Sequence, residues 1–176
     1  MPIRPVDLVF LLSQPEAERG MDRSSNPAES LGRFASVTVW DQANQVGNLF
    51  PDVSGVENER GQVDVRCLFL LNDHETLPYL DCQIWVEERA EGGADIEIAV
   101  DPTSPSDQYT VEDQALTLET SRQLKWSAAQ GEGRALRLGT LGPNQVKAFW
   151  VRRSVLGLPA IDRDFFTLRV RGETTQ

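Results

Sequence analysis

Three groups of residues have types that could do chemistry. His74 is the sole histidine, and Cys67 and Cys82 are the two cysteines. Asp95, Glu97, Asp101 and Asp107 form a short run of carboxylates. A catalytic histidine needs a positioned acid or nucleophile beside it, and the polar run around His74 supplies none that the sequence identifies. It reads as a loop residue. Cys67 and Cys82 each sit inside an apolar run, away from any basic cluster or helix start that would favour a thiolate. They read as small apolar side chains, with a disulfide between them as the alternative. The carboxylates follow no EF-hand spacing, and Pro102 and Pro105 interrupt them. They read as a solvated acidic edge. No CxxC, HExxH, GxSxG or phosphate-loop pattern occurs, and GEGR at 131–134 reads as a turn. The expectation is a chain with no catalytic, cofactor-binding or metal-binding residues, and not an enzyme.

The elements that would position these residues are β-strands. Alternating or continuous apolar runs occur at 6–12, 34–40, 62–71, 81–87, 94–100, 123–127, 135–141, 145–154 and 164–171. Glycine, proline and polar residues separate them, and no amphipathic helix stands out. The pattern predicts an all-β fold, an antiparallel β-sandwich of eight or nine strands, Ig-like or jelly-roll-like. A barrel is the alternative. The polar stretch 13–30 reads as an extended arm. The organisation expected is an N-terminal strand and arm over 1–33, followed by the sandwich over 34–176. On that division, deleting 1–33 should leave a folded domain.

Strands 62–71 and 81–87 read as a hairpin about His74–Glu75, with Cys67 opposite Cys82. Val63, Val65, Cys67, Phe69 and Leu71 share one face and are assigned to the main core. Leu68, Leu70 and Trp85 then point outward, as do Phe149 and Val151 on the 145–154 strand. An antiparallel sheet usually leaves one face polar. These five are therefore the candidate interface, to be covered by the N-terminal arm, a neighbouring copy or another protein. Trp40 and Trp85 are also candidates for stacking on a sugar or a partner, while Trp126 and Trp150 read as core.

The chain has 176 residues and a net charge of −10. That balance argues against general nucleic-acid binding and against anionic membrane surfaces. Residues 1–120 carry 7 Lys/Arg and 23 Asp/Glu, and residues 121–176 carry 10 and 4. Either basic C-terminal strands lie beside acidic ones in a sheet, or the surface is polarised for docking. No secretory signal is visible, and two cysteines suit folding in a reducing cytoplasm.

The order of motifs carries a resemblance. NLFPDVSGVENERGQVDVRCLFLLNDHETLPYLDCQIWVEE (48–88) is followed by an acidic loop, LGTLGPNQVKAFWVRRSV (138–155) and DFFTLRVRGET (164–174). Upstream, LSQPEAERGMDRSSNPAESLGRFAS (12–36) holds an Asn-Pro-x-x-Ser-Leu-Gly element made of Asn26, Pro27, Ser30, Leu31 and Gly32. This succession resembles small Ig-like virion structural proteins of tailed bacteriophages and prophages. Cys82 and a more acidic hairpin depart from that pattern. The resemblance implies a non-enzymatic structural protein of the virion, made in the host cytoplasm. The expected role is capsid-exterior decoration or cement, with a tail or neck accessory role and a carbohydrate-binding module as alternatives. The expected partners are a major capsid protein, tail or neck proteins, or further copies of itself.

Overall fold

The computed structural model describes residues 4–15, 24–40, 49–107, 114–159 and 164–174. Strands dominate: β1 (Leu8–Gln14), β2 (Phe34–Val39), β3 (Gln62–Asn72), β4 (Tyr79–Arg89), β5 (Asp95–Val100), β6 (Ser106–Asp107), β7 (Leu136–Leu141), β8 (Gln145–Val155) and β9 (Phe166–Thr174). They build two antiparallel sheets. The larger runs β2-β1-β3-β8-β5, with β6 also on β8, and the smaller runs β7-β4-β9. The all-β sandwich expected from the alternation is what forms. Residues 16–23, within the polar stretch 13–30, and residues 41–48, 108–113 and 160–163 lie outside the described residues.

Among the described residues one α-helix, α1 (Gly55–Arg60), stands between β2 and β3, where no amphipathic helix was expected. Its signal was present in the sequence as Ser54 and Glu57, a capping box in which each side chain bonds the other residue's backbone N–H. The 123–127 run is not a strand. It touches β5 through one bridge, Ile98 to Ser127, because Thr120–Gln123 turns as a 3₁₀ helix just before it.

The division at residue 33 is corrected. β1 lies inside the large sheet, bonded to β2 on one side and β3 on the other. Its apolar run VFLL pairs with Leu68–Leu71 of β3. The described part of the polar stretch is also tied in. Asn26 caps the 3₁₀ turn Pro27–Glu29 through its side-chain oxygen. Ser30 Oγ donates to the Cys67 carbonyl at 2.5 Å and accepts from the Ser13 N–H at 2.8 Å. Removing 1–33 would take out an interior strand, so the truncated chain has no complete large sheet to fold.

The hairpin expected between 62–71 and 81–87 does not form. β3 is flanked by β1 and β8, and β4 by β7 and β9, so the 73–78 connection crosses from one sheet to the other. Both edges of β3 are already used. The corner is held by Asn72, fully buried, whose Nδ2 donates to the carbonyls of Leu77, Leu141 and Gly142. His74 works in the same corner: Nδ1 accepts from the N–H groups of Thr76 and Leu77 at 3.2 and 3.1 Å.

Two apolar cores result, one on each face of the large sheet. Between the sheets lie Leu68, Leu70, Cys82, Ile84, Val86, Ile98, Leu138, Leu141, Phe149 and Val151. On the outer face lie Cys67, Phe69, Leu71, Ala99, Val146, Ala148 and Trp150, covered by Ala115, Leu116, Leu124 and Trp126. The assignment of faces made from alternation is therefore inverted on β3 and β8, while on β4 it holds, with Cys82, Ile84 and Val86 inward and Trp85 on the other face. Alternation separates two faces but does not say which one meets the second sheet. When both are apolar, composition does not decide either.

Candidate functional surface

The five candidate interface residues are all interior. Leu68, Leu70, Phe149 and Val151 are at most 1% exposed and sit in the core between the sheets. Trp85 is 3% exposed. It lies on the other face of β4 from Ile84 and Val86, opposite Arg169 in register, and its indole N–H donates to Glu87. None of the five is available to a partner. The covering that their pattern demanded comes from the second sheet for four of them.

The groups singled out for chemistry are structural. Cys67 and Cys82 are free thiols on opposite faces of the sandwich wall, Cys67 in the outer core and Cys82 in the inner one. A bond between them is excluded by that separation. Burial pushes the Cys82 thiol up to about 12 and raises that of Cys67 well above its ordinary value. Neither is a ready nucleophile.

The carboxylates diverge. Asp95 pairs with Arg89 at 2.8 Å and Glu97 with Arg152 at 2.5 Å, while Asp101 turns inward. Among the described residues, no three His, Cys, Asp or Glu side chains converge as metal ligands do.

Asp101 is instead the pin of the outer core, and it is fully buried. Its Oδ2 accepts from the Trp150 indole N–H at 2.8 Å and from the Leu116 N–H at 2.9 Å, and its Oδ1 accepts from the Thr103 N–H at 2.9 Å. Lys147 Nζ donates to the Asp101 carbonyl at 2.7 Å and to that of Thr103. Burial holds the Lys147 pKa below its ordinary value, with the Asp101 charge opposing. The network fastens the 114–126 strap across β8. Gly32 closes it from the other side, at φ +102°, where a Cβ would lie 2.1 Å from the Leu116 carbonyl and 2.8 Å from the Trp150 ring.

The other tryptophans are engaged too. Trp40 packs on Phe10 and stacks on Phe166, with centroids 6.1 and 6.3 Å away. The Arg152 guanidinium lies 4.5 Å from the Trp126 ring centroid. Trp126, read as core, is only partly buried.

Part of the uneven charge is paired within the fold. Basic C-terminal strands lie beside acidic ones: Arg152 with Glu97, Arg153 with Asp64 and Arg169 with Glu87.

The surface offers a different candidate. The strap covers the outer face only in part. Beyond it, Val63 is 60% and Leu156 69% exposed, although Val63 was assigned to the core. Gln62 pairs with Val155 and Val63 with Ser154, which sets Leu156 against Gly61 and makes it the diagonal neighbour of Val63. Val56, 56% exposed, stands on α1. Asn58 ties that helix to the following turn by accepting from the Leu158 N–H and donating to its carbonyl. The exposed carboxylates Glu57, Glu59 and Asp95 belong to the same end of the molecule. Sequence reading passed over this patch because Val63 continues a buried alternation and Leu156 follows the end of a strand.

Comparisons with known proteins add nothing to this geometry: no family model, no curated protein and no solved structure matches the chain.

Proposed function

We propose that this chain is a non-enzymatic structural component of a tailed-phage virion, a decoration or cement protein docked on the capsid exterior. The observation that carries the reading is the use made of the Asn-Pro-x-x-Ser-Leu-Gly element on which the resemblance rests. Asn26 caps a turn, Ser30 bonds β1 and β3, and Gly32 admits Trp150. These are fold-determining posts, as expected of residues shared across a group of scaffold proteins. The side chains with reactive chemistry described above are spent on the fold in the same way.

Docking falls to the open end of the large sheet, at Val63 and Leu156. Its acidic rim and the net charge of −10 select a partner surface that is apolar at its centre and basic around it. Neither Trp40 nor Trp85 offers the free ring that a carbohydrate module would use.

Mass spectrometry of purified particles tests the proposal. The protein is expected in fixed stoichiometry with the major capsid protein. Its absence from particles would overturn the reading, and its presence on isolated tails alone would move it to a tail role.

A further inference from the structure

Two turns of the molecule are closed by the same local device, with one difference. Asn26 Oδ1 accepts from the N–H groups two and three residues on, Ala28 at 2.9 Å and Glu29 at 3.2 Å. His74 Nδ1 accepts in the same pattern, from Thr76 at 3.2 Å and Leu77 at 3.1 Å. An amide oxygen stays an acceptor between pH 5 and 8. An imidazole nitrogen stops accepting once it takes a proton.

The His74 turn lies where the chain crosses from one sheet to the other. The His74 N–H donates to Asn72 Oδ1 at 3.2 Å, and Asn72 Nδ2 donates to the Leu77 carbonyl at 2.9 Å. Acceptance at Nδ1 fixes a neutral imidazole with its proton on Nε2. The 3₁₀ turn Pro5–Asp7 is bonded to this corner, with the Asp7 carbonyl accepting from the Asp73 N–H at 2.8 Å. It brings Asp7 and Arg4, an ion pair at 3.1 Å. Hydrogen bonds from Arg4 hold the Asp7 carboxyl below its ordinary value, and the His74 charge adds to them. The β7–β8 turn, residues 142–144, is bonded to Asn72 and carries no charge. Asp73 and Glu75 belong to the connection itself. Three carboxylates against one guanidinium make these surroundings receptive to a charged imidazole.

We propose that His74 is an acid-sensitive latch on the crossing between the sheets, closed by the neutral imidazole and opened by its protonation. A proton on Nδ1 turns the acceptor into a donor that faces two other donors. Thr76 and Leu77 then lose their N–H bonds, and hydrogen bonding holds Leu77 by its carbonyl alone, through Asn72. The Asn26 turn has no such response. The inference does not depend on a place in the virion, since it concerns one turn of the fold.

The test follows amide exchange of the full chain by NMR at pH 8 and pH 5, the range over which imidazoles change charge. Rates are divided by those of an unstructured chain at the same pH, which removes the intrinsic effect of acid. Thr76 and Leu77 should be protected at pH 8 and lose about tenfold of that protection at pH 5. Ala28 and Glu29, on the turn closed by asparagine, should keep theirs. Imidazole 15N spectra should show a bare Nδ1 at pH 8. His74→Asn supplies a permanent acceptor and should hold Thr76 and Leu77 alike at both pH values. A protonated Nδ1 at pH 8 overturns the proposal, as does protection of Thr76 and Leu77 that is absent at pH 8 or unchanged at pH 5. A parallel loss at Ala28 and Glu29, or the same pH response in His74→Asn, overturns it too. If that variant does not fold, the wild-type comparison of the two turns decides.

Discussion

The two apolar cores lie back to back across the same sheet and are closed by different means. The inner core is closed by a second sheet, whose strands β4, β7 and β9 bring their own register and hydrogen bonds. The outer core is closed by an irregular strap that has no ladder of its own. A strap must satisfy its backbone groups some other way. The Gln114 and Ala115 N–H groups donate to the Arg33 carbonyl, the Leu116 carbonyl accepts from the Arg33 N–H, and the Leu116 N–H donates to Asp101. Two buried side chains add to this, Ser13 Oγ accepting from the Gly32 N–H and Gln114 Oε1 from the Ala35 N–H, each at 2.8 Å. Apolar area holds one side of the wall, and a handful of polar pins decides the other.

That contrast predicts a graded set of effects. The largest belong to Phe149 and Trp150, adjacent fully buried residues on opposite faces of β8. Each truncation to alanine should cost about 3–5 kcal/mol in urea denaturation. Amide exchange separates them. Trp150→Ala should release the Leu116 amide while β4 stays protected, whereas Phe149→Ala should loosen β4 as well. Identical exchange patterns would dissolve the distinction between the cores.

Asp101→Ala comes next, at about 3 kcal/mol, because it strands the Trp150, Leu116 and Thr103 donors together. Gly32→Ala follows at about 2 kcal/mol, from the positive φ and the contact with Leu116. In both, strap amides should exchange faster than those of β7 or β9. A uniform loss of protection would show that the strap is not a separate unit.

A smaller effect concerns pH. The folded chain holds the Cys82 proton up to about 12, from an ordinary thiol value of 9.0. The unfolded chain releases it earlier. The stability linked to this thiol is complete below the ordinary value and falls as pH rises toward 12. Cys67 acts in the same sense. Lys147, with its lowered pKa, acts in the opposite sense and gains stability as pH rises. Urea midpoints through the alkaline range should therefore fall less steeply in Cys82→Ala than in the wild type. Parallel curves would count against burial as the cause.

How much of this was legible depends on what alternation encodes. The strands themselves were, because runs such as QVDVRCLFLL and QVKAFWVRRS have no other comfortable conformation. Which face met the second sheet was not. Leu68 and Cys67 are equally apolar, and the choice was made elsewhere in the chain, by β4, β7 and β9 on one side and the 114–126 strap on the other. The β3–β4 hairpin was misread because the sequence shows two adjacent strands and hides that β1 and β8 already occupy both edges of β3. The capping box of α1 was legible and passed over. The 114–126 strap was not legible, since ALTLETSRQLKW (115–126) has no period. Its anchor, Asp101, looked like one more surface carboxylate until burial singled it out. Val63 and Leu156 emerged only when the strap was seen to stop short of them.

The central proposal is that the exposed apolar pair Val63 and Leu156, at the open end of the large sheet, is where the protein docks on the particle. Val63→Asp together with Leu156→Asp changes only exposed positions, so the urea midpoint should move little, by within about 0.5 kcal/mol per site. The direct measurement is co-sedimentation of this double variant with purified particles that lack the protein. The account predicts a folded protein left in the supernatant while the wild type pellets in stoichiometric amounts. A double variant that pellets like the wild type would contradict it.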